Sequence, residues 1–392
     1  MYILTYLINP FLGLIHSFLS ISNKRNQSQK TFYIYLFLCA LFVSLVNIYK
    51  VPENDLVWYL SSYQYAYGRS FVDFLPGSGA IWGMPTTDYG YDLYVWILSN
   101  LFSGNGYIFK FINSLICYLL LGISIIKIGK YYNFTNACIL SGISFMVFTP
   151  YIFTMSLQIV RQFLASCMFI YLIANLVTSN GFKTFIKRNW WILILMFSFH
   201  KSSLFIIVLL LVPFLDKSIK RHKIEYVSLM ILIIGYQLVA KFFSGFLPDD
   251  SSLGGALDRA SSNTTFDLGQ MLITKAILII FIALWAYIVG YKSQFQKKYY
   301  GIKQACNIVI ILVGFILVNL NQSELSNRFY FYVLPFFPLV CMVLIHKFKI
   351  SNWLQLLVLV GVLVSWGFYV YNGVWEYDIP GNLLITPIEF YL

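Results

Sequence analysis

Apolar runs of about 20 residues, long enough for a helix to cross the ~30 Å hydrocarbon core of a bilayer, recur along the whole chain. Of the 392 residues, 59% are hydrophobic and 11% are charged, whereas a soluble domain carries roughly 25% charged residues. No polar block is long enough to form a soluble domain. The sequence therefore predicts an all-α polytopic membrane protein, with residues 1–392 forming a single integral membrane domain.

Basic clusters between the apolar runs predict the topology. We expect about ten full transmembrane helices, at 2–20, 31–49, 107–126, 134–156, 161–178, 225–243, 269–291, 304–320, 329–346 and 353–371. Most of the 27 lysines and arginines lie in short clusters between them. If these clusters are cytoplasmic, the chain obeys the positive-inside rule and both termini are outside. The net charge of +12 is then a topology signal, and we expect no nucleic acid partner.

Residues 189–215 form one apolar block with a basic cluster at each end. If both ends are cytoplasmic, the block enters and leaves the membrane on the same side. An arm of about 12 residues measures about 18 Å, which is too short to cross. We therefore predict a short helical hairpin with His200 and Lys201 near its tip, and a single crossing is the alternative. The outer side then holds a segment at 50–106, with a short amphipathic helix at Tyr91–Phe102, and a turn-rich loop at 244–268.

Arg161 and Arg328 each lie at the predicted outer end of a span, where positive charge is scarce. An arginine at this depth is costly unless an anion meets it, and the planar guanidinium suits phosphate. The neighbouring amides Gln158, Gln162 and Asn327 are candidate substrate-binding groups. The alternative is that each guanidinium snorkels to water or to lipid headgroups. The pair favours a phosphate-bearing lipid substrate that is handled from the outer face.

Polar residues at the predicted hairpin tip are further candidates. His200 can donate to phosphate or carry a proton near neutral pH, or it can be a core histidine at a helix break. Lys201 can add positive charge to a site or snorkel outward.

The outer segment supplies carboxylates and aromatic rings. Asp55 and Asp88 are each a candidate helix cap or turn residue, or the base that activates an acceptor hydroxyl. The sequence does not choose between them. The rings, which include Tyr59 and Tyr91, are either an interfacial belt or stacking platforms for sugars.

Motifs for metal ions and common cofactors are missing from the sequence. Six cysteines occur singly inside apolar runs, so neither a zinc site nor a disulfide framework is indicated. No Gly-rich phosphate loop or paired-histidine motif occurs. We expect no metal and no cofactor.

Several short fragments occur in an order that is typical of a known family. They are Asp55-x-x-x-Tyr59, Asp88-Tyr-Gly-Tyr91, Arg161-Gln-x-x-Ala165, Phe199-His-Lys-Ser202 and Asn327-Arg-Phe-x-x-Tyr332. Together they resemble the EpsG/Wzy group of bacterial polysaccharide polymerases over about 50–335. Tyr89 departs from the pattern, because many relatives have proline after the acidic residue, and this leaves the role of Asp88 open.

This resemblance implies a metal-independent glycosyltransferase with a GT-C-like fold in the bacterial plasma (inner) membrane, with its active site facing the periplasm. The donor would be a glycan on undecaprenyl diphosphate, and the acceptor a sugar hydroxyl on another lipid-linked repeat unit. Arg161 and Arg328 would bind the diphosphate and stabilise its charge as it leaves, with His200 nearby. Tyr332, in the last fragment, is a further substrate-binding candidate. The bilayer and a chain-length regulator are the other expected partners.

Three other functions remain open. An O-antigen ligase would use the same donor but join glycan to a lipopolysaccharide core. A lipid-linked oligosaccharide flippase should show internal pseudo-symmetry, and none is evident. A membrane acyltransferase of one common type carries an arginine beside the histidine of its first spans, and His16 lacks that neighbour.

Overall fold

Helices make up nearly all of the chain that the computed structural model describes. The described residues are 2–23, 28–81, 88–212, 215, 223–225, 227–229, 231, 270–292, 301–320, 323–372 and 377–379. Within these ranges no strand occurs, and Lys50 and Tyr377 form an isolated antiparallel β-bridge. The prediction of an all-α protein is confirmed.

The helices are numbered here in chain order. They are α1 (Tyr2–Ile8), α2 (Pro10–Ser22), α3 (Gln29–Ile48), α4 (Asp55–Ala66), α5 (Phe71–Ile81), α6 (Tyr89–Leu101), α7 (Gly106–Tyr131), α8 (Asn136–Phe148), α9 (Pro150–Gln158), α10 (Val160–Thr178), α11 (Phe182–Phe199), α12 (Ser203–Leu211), α13 (Gln270–Tyr287, followed by a π-turn at Ile288–Lys292), α14 (Ile302–Val318), α15 (Ser323–Val333), α16 (Phe336–Lys347) and α17 (Asn352–Asn372).

Prolines divide three of the spans that were predicted as continuous helices. The span 2–20 is split before Pro10, 134–156 before Pro150, and 329–346 at Pro335. Proline lacks a backbone N–H and disfavours helical geometry in the residue before it. At Pro150 the two helices meet at a bend of 49°. The prediction of one helix per span was therefore wrong at Pro10 and Pro150, because hydrophobicity alone does not register the break. The two helices on either side of Pro335 still form one candidate span, Leu325–Lys347.

Within the residues that the structure describes, five helical segments are long and apolar enough to cross a membrane. They are Gln29–Ile48, Gly106–Tyr131, Val160–Thr178, Leu325–Lys347 and Asn352–Asn372, and the bent pair α8–α9 would make a sixth. Pro10–Ser22, Lys275–Tyr291 and Ile302–Val318 are shorter apolar helices. Most of the predicted span 225–243, and the whole loop 244–268, lie outside the described residues. A multi-pass membrane protein is supported, and the total of about ten crossings stays a prediction.

The predicted hairpin contains the expected break but has a longer first arm. α11 ends at Phe199 and α12 begins at Ser203, so the break falls at residues 200–202. α11 has 18 residues and begins at Phe182, not at 189, because the basic cluster before 189 consists of good helix formers that extend the helix. The Met196 carbonyl in the last turn of α11 accepts from the His200 N–H at 3.2 Å and from the Ser203 hydroxyl at 3.0 Å.

The outer segment 50–106 folds into α4, α5 and α6. The amphipathic helix predicted at Tyr91–Phe102 is confirmed as α6 (Tyr89–Leu101). Asp55 is the first residue of α4, and Asn54 occupies the cap position with φ 47° and ψ −126°. The interpretation of Asp55 as the cap was therefore wrong by one position.

The described chain divides into two compact units. Unit 1 comprises residues 1–77, 93–174 and 335–392, and unit 2 comprises residues 78–92 and 175–334. The prediction of a single integral membrane domain stays a prediction.

Aromatic packing forms the core of each unit. In unit 1 the fully buried Trp366 of α17 contacts Phe11, Phe42, Phe148 and Phe153, with ring centroids 5.2–6.3 Å apart. These rings tie α17 to α2, α3, α8 and α9. In unit 2 three phenylalanines from α12, α14 and α15 pack together at 4.7–5.3 Å; they are Phe205, Phe315 and Phe329. Burial of this area stabilises each unit.

A polar network crosses the core of unit 1 at Asn47. Its side-chain amide donates to the hydroxyls of Ser114 at 2.8 Å and Ser156 at 2.9 Å. Its carbonyl oxygen accepts from the Tyr377 hydroxyl at 3.2 Å. Asn47 thus links the end of α3 to α7, to α9 and to the segment after α17. Asn47, Ser114 and Ser156 are fully buried, so the bonds among them prevent costly unsatisfied polar atoms.

We expect Asn47→Ala to destabilise the protein by about 2–3 kcal/mol, because its partners lose hydrogen bonds while staying buried. Thermal unfolding in detergent can be followed with a thiol-reactive fluorophore, since Cys39, Cys117, Cys138, Cys167 and Cys306 are all buried. The matched control is Asn372→Ala, whose exposed amide makes one 3.5 Å bond within its own helix. Equal unfolding temperatures for the two variants would contradict a stabilising role for the network.

Candidate functional site

Arg161 lies at the start of α10, immediately after a break in the helix path. α9 ends at Gln158, Ile159 adopts φ −129° and ψ 55°, and Arg161 is the second residue of α10. Its guanidinium carbon lies 5.8 Å from the centroid of the Tyr59 ring. Both the side chain and the backbone of Arg161 hydrogen-bond the Tyr59 hydroxyl. The break thus turns a charged side chain toward the phenol of α4.

The Tyr59 hydroxyl keeps its proton beside this arginine. Burial raises the pKa of Tyr59 above its ordinary value of 10.0, the Arg161 charge acts in the opposite direction, and the Asp55 carboxylate raises it further. Tyr59 is therefore neutral at physiological pH and does not cancel the charge of Arg161. Asp55 itself is exposed, while Gln158 and Gln162 on either side of the break are buried.

Two buried lysines in unit 1 were missed by the sequence reasoning. The Lys50 ammonium donates to the Gln158 side-chain oxygen at 3.2 Å. The Lys110 ammonium donates to the backbone carbonyl of Lys50 at 3.0 Å. Burial lowers the pKa of Lys50 from 10.5 to about 8; Glu53 opposes this shift and Lys110 adds to it. Each lysine stands alone beside a span in the sequence, where it is indistinguishable from a snorkelling side chain.

In unit 2 a line of hydrogen-bonding side chains joins the break after α11 to α15. His200 Nδ1 lies 2.6 Å from the Ser202 hydroxyl, and that hydroxyl lies 3.4 Å from the hydroxyl of Tyr332. Asp88 and Arg328 are both within electrostatic range of the Tyr332 hydroxyl. The predicted residues Asp88, His200, Arg328 and Tyr332 are therefore neighbours.

Local backbone geometry explains these positions. His200 is extended, with φ −157° and ψ 119°, and ends α11. Asp88 precedes α6, and its backbone carbonyl accepts from the N–H groups of Tyr91 and Asp92, so it forms the turn that begins this helix. Its side chain is buried. The Tyr91 ring meets Phe199 edge-on at 6.0 Å. Arg328 lies in the first turn of the candidate span Leu325–Lys347, on α15, which begins at Ser323.

The remaining predicted residues of unit 2 are Lys201 and Asn327. Lys201 is exposed at the break. The Asn327 side-chain oxygen accepts from the Lys275 ammonium of α13 at 2.7 Å, and that ammonium lies 5.5 Å from the Tyr330 ring centroid. Lys275 is thus a third buried or half-buried cation that the sequence did not single out, since it sits inside an apolar run.

The predicted site residues therefore fall into two groups. Unit 1 holds those around the start of α10, which are Asp55, Tyr59, Gln158, Arg161 and Gln162. Unit 2 holds those around the break after α11 and on α15, which are Asp88, Tyr91, His200, Lys201, Asn327, Arg328 and Tyr332. Each group offers a guanidinium, a carboxyl group and a tyrosine hydroxyl, which suits binding of an anion and transfer of a proton.

Residues 32–387 match the family model described as the EpsG family. The chain belongs to the EpsG family. No curated protein and no solved structure matches it significantly. Membership of the EpsG family suggests a polysaccharide repeat-unit polymerase with glycosyltransferase-like chemistry, and it confirms the resemblance that the sequence fragments indicated.

Metal ligands are not grouped in the part of this EpsG-family protein that the structure describes. Among those residues no three His, Cys, Asp or Glu side chains are placed to hold a metal ion. Metal independence stays a prediction.

We expect the stability of the wild type relative to Lys50→Met to rise between pH 7.5 and 10. Below pH 8 both folded and unfolded chains hold the proton, and burial of the ammonium destabilises the fold. Above about pH 8 the folded protein releases it while the unfolded chain, with its pKa near 10.5, retains it. The gain is at most about 3 kcal/mol.

Tryptophan fluorescence during thermal unfolding of both proteins measures this effect. Other titrating groups are common to the two chains and cancel in the difference. A difference in unfolding temperature that stays constant across this range would show that Lys50 keeps its ordinary pKa.

Proposed function

We propose that this protein polymerises oligosaccharide repeat units that are carried on undecaprenyl diphosphate, at the outer face of the bacterial plasma membrane. The observation that carries this function is the match to the EpsG family over residues 32–387. The segments long and apolar enough to cross a membrane agree with a lipid-anchored substrate. About ten crossings, a re-entrant hairpin with its break at residues 200–202 and a GT-C-like fold belong to the same proposal.

The reaction transfers a glycan from a lipid diphosphate to a sugar hydroxyl. The acceptor oxygen attacks the anomeric carbon of the donor, and the bond from that carbon to the diphosphate oxygen breaks. The hydroxyl proton passes to a base, and the lipid diphosphate departs with the bonding electrons. The diphosphate is already a fair leaving group, so most of the acceleration comes from stabilising its growing charge and from holding two large substrates together.

Arg161 and Arg328 are the groups that we assign to the diphosphate. Guanidinium donors that strengthen their contacts as charge develops lower the barrier. The neutral Tyr59 supports this role for Arg161, because it holds the guanidinium by hydrogen bonds without neutralising it. We also assign four polar residues near the two arginines to substrate binding; they are Gln158, Gln162, Lys201 and Asn327.

Asp88 is the better of the two candidate bases. It is buried and lies within electrostatic range of Tyr332, which connects through Ser202 to His200. A carboxylate linked to such a chain can accept a proton and pass it on. Asp55 is exposed at the start of α4. Tyr91 and Tyr59 are assigned to sugar contacts, and no metal or cofactor takes part.

We expect Arg161→Ala and Arg328→Ala each to reduce polymerisation by about 10²–10³-fold, the usual effect of removing one donor to a developing oxyanion. The measurement is a silver-stained gel of surface glycan from a deletion strain that is complemented with each variant at matched protein levels.

The matched controls keep the residue type. Arg69→Ala removes an exposed unit 1 arginine that stacks on Tyr65 at 4.0 Å, and Arg188→Ala removes an exposed one from α11 of unit 2. Both controls should give normal ladders. Normal ladders from Arg161→Ala and Arg328→Ala as well would contradict the assignment of these arginines to the diphosphate.

The deletion strain itself separates the polymerase from its rivals. A polymerase defect leaves single repeat units on the surface, because units are still made and attached. A ligase defect leaves long chains on undecaprenyl diphosphate, and a flippase defect leaves repeat units unexported. We expect single units that become a ladder only with the wild-type gene.

A further inference from the structure

Lys50 reaches the helix break that carries Arg161. It follows the end of α3, it is 1% exposed, and its ammonium donates to the side-chain oxygen of Gln158 at 3.2 Å. Gln158 is the last residue of α9, and Arg161 follows it across the break at Ile159. One hydrogen bond from Lys50 therefore anchors the end of the helix that directly precedes the arginine.

Lys50 is itself held from several sides. Its backbone carbonyl accepts from the Lys110 ammonium at 3.0 Å, and its backbone pairs with Tyr377 in a β-bridge. The Asp378 N–H also donates to the Tyr49 carbonyl at 2.9 Å. α7 and the segment after α17 thus fix the base of the side chain, and its far end fixes Gln158. The Lys50 side chain is therefore held in one conformation, because its backbone and its ammonium are both hydrogen-bonded.

Burial of the Lys50 ammonium is energetically unfavourable compared with burial of an apolar side chain. Removal of an ammonium from water is strongly unfavourable, whereas burial of an apolar side chain of the same length is favourable. The charged groups around it are Glu53 and Lys110, with the Tyr377 ring 6.0 Å away. What the ammonium adds over an apolar residue is a strong, directed donor to the Gln158 oxygen, since a bond from a charged donor is roughly twice as strong as a neutral one.

We propose that Lys50 is a positioning residue that sets the orientation of Arg161 through Gln158. This role rests on the proposed function of Arg161 but is separable from it. Loss of the Lys50 bond frees the side chain of Gln158, lets the break at Ile159 relax, and loosens the contact between Arg161 and Tyr59. Lys50 touches no substrate in this account, so it acts on polymerisation only through Gln158 and Arg161.

The first test compares glycan ladders from strains that carry Lys50→Met, Gln158→Leu and the double variant. Lys50→Met should lower polymerisation about tenfold, as expected for one charge-assisted hydrogen bond, and Gln158→Leu by at least as much, because Gln158 is also assigned to substrate binding. The double variant should lose no more than Gln158→Leu alone, because that variant already lacks the Lys50 bond. Lys50→Arg, which keeps a cationic donor, should recover most of the activity.

Lys127→Met is the matched control. Its ammonium donates to the Tyr171 hydroxyl of α10 at 3.2 Å, so it removes a bond of the same length and donor type to the same helix that carries Arg161. A near-normal ladder is expected. An equal loss in Lys127→Met, or additive losses in the double variant, would overturn the positioning role.

The second test needs no polymerisation. Full-length protein in detergent is treated with phenylglyoxal, and modification of Arg161 is followed by mass spectrometry with Arg69 of the same chain as internal reference. Lys50→Met and Gln158→Leu should raise the Arg161 rate about tenfold, and Lys127→Met should not. Unchanged Arg161 rates would overturn the inference. If Lys50→Met does not accumulate, Gln158→Leu alone decides it.

The two tests distinguish failure of the proposed polymerase function from failure of the positioning role of Lys50. If the wild-type gene restores no ladder but Lys50→Met exposes Arg161, the polymerase function is wrong and the positioning role stands. If the ladder is restored and Arg161 labelling is the same in all variants, the function stands and the positioning role is wrong.

Discussion

A bilayer offers no hydrogen bonds to a polar group inside it, and this single constraint organises the structure. Wherever a helix breaks at membrane depth, the freed backbone and the polar side chains nearby must find partners within the protein. Asn47, Lys50 and Gln158 meet that demand around the end of α9. Ser203 meets it at the end of α11. Arg161 and His200 lie at the same breaks, so candidate site residues collect where the regular helices stop.

The sequence predicts the class of fold well because hydrophobicity and charge act over whole spans. Length, apolar runs and basic clusters indicated an all-helical, multi-pass membrane protein, and fragment order indicated the family. The break at residues 200–202 followed from a segment too short to cross twice. The splits at Pro10, Pro150 and Pro335 were missed, since a hydropathy average treats a proline as one weak residue, whereas its missing N–H interrupts the helix locally.

The candidate site shows a different limit. Arg161 and Arg328 attract notice because a guanidinium in the outer leaflet is costly. Lys50, Lys110 and Lys275 carry the same charge at similar positions, but a lone lysine beside an apolar run has an ordinary explanation in snorkelling. Only their burial and their bonds to Gln158, to the Lys50 carbonyl and to Asn327 set them apart. Those partners are distant in sequence, and no local sequence pattern predicts them.

The bond from Tyr377 to Asn47 joins residues 330 positions apart in the chain. At a synthesis rate of about 5–20 residues per second, Tyr377 leaves the ribosome roughly 15–65 s after Asn47. Until Tyr377 is synthesised, the Asn47 carbonyl oxygen lacks this partner, although α3, α7 and α9 are already complete. Lys50, whose backbone pairs with Tyr377, also gains this contact only then, so the polar core of unit 1 is completed late in synthesis, after all of its other members have been made.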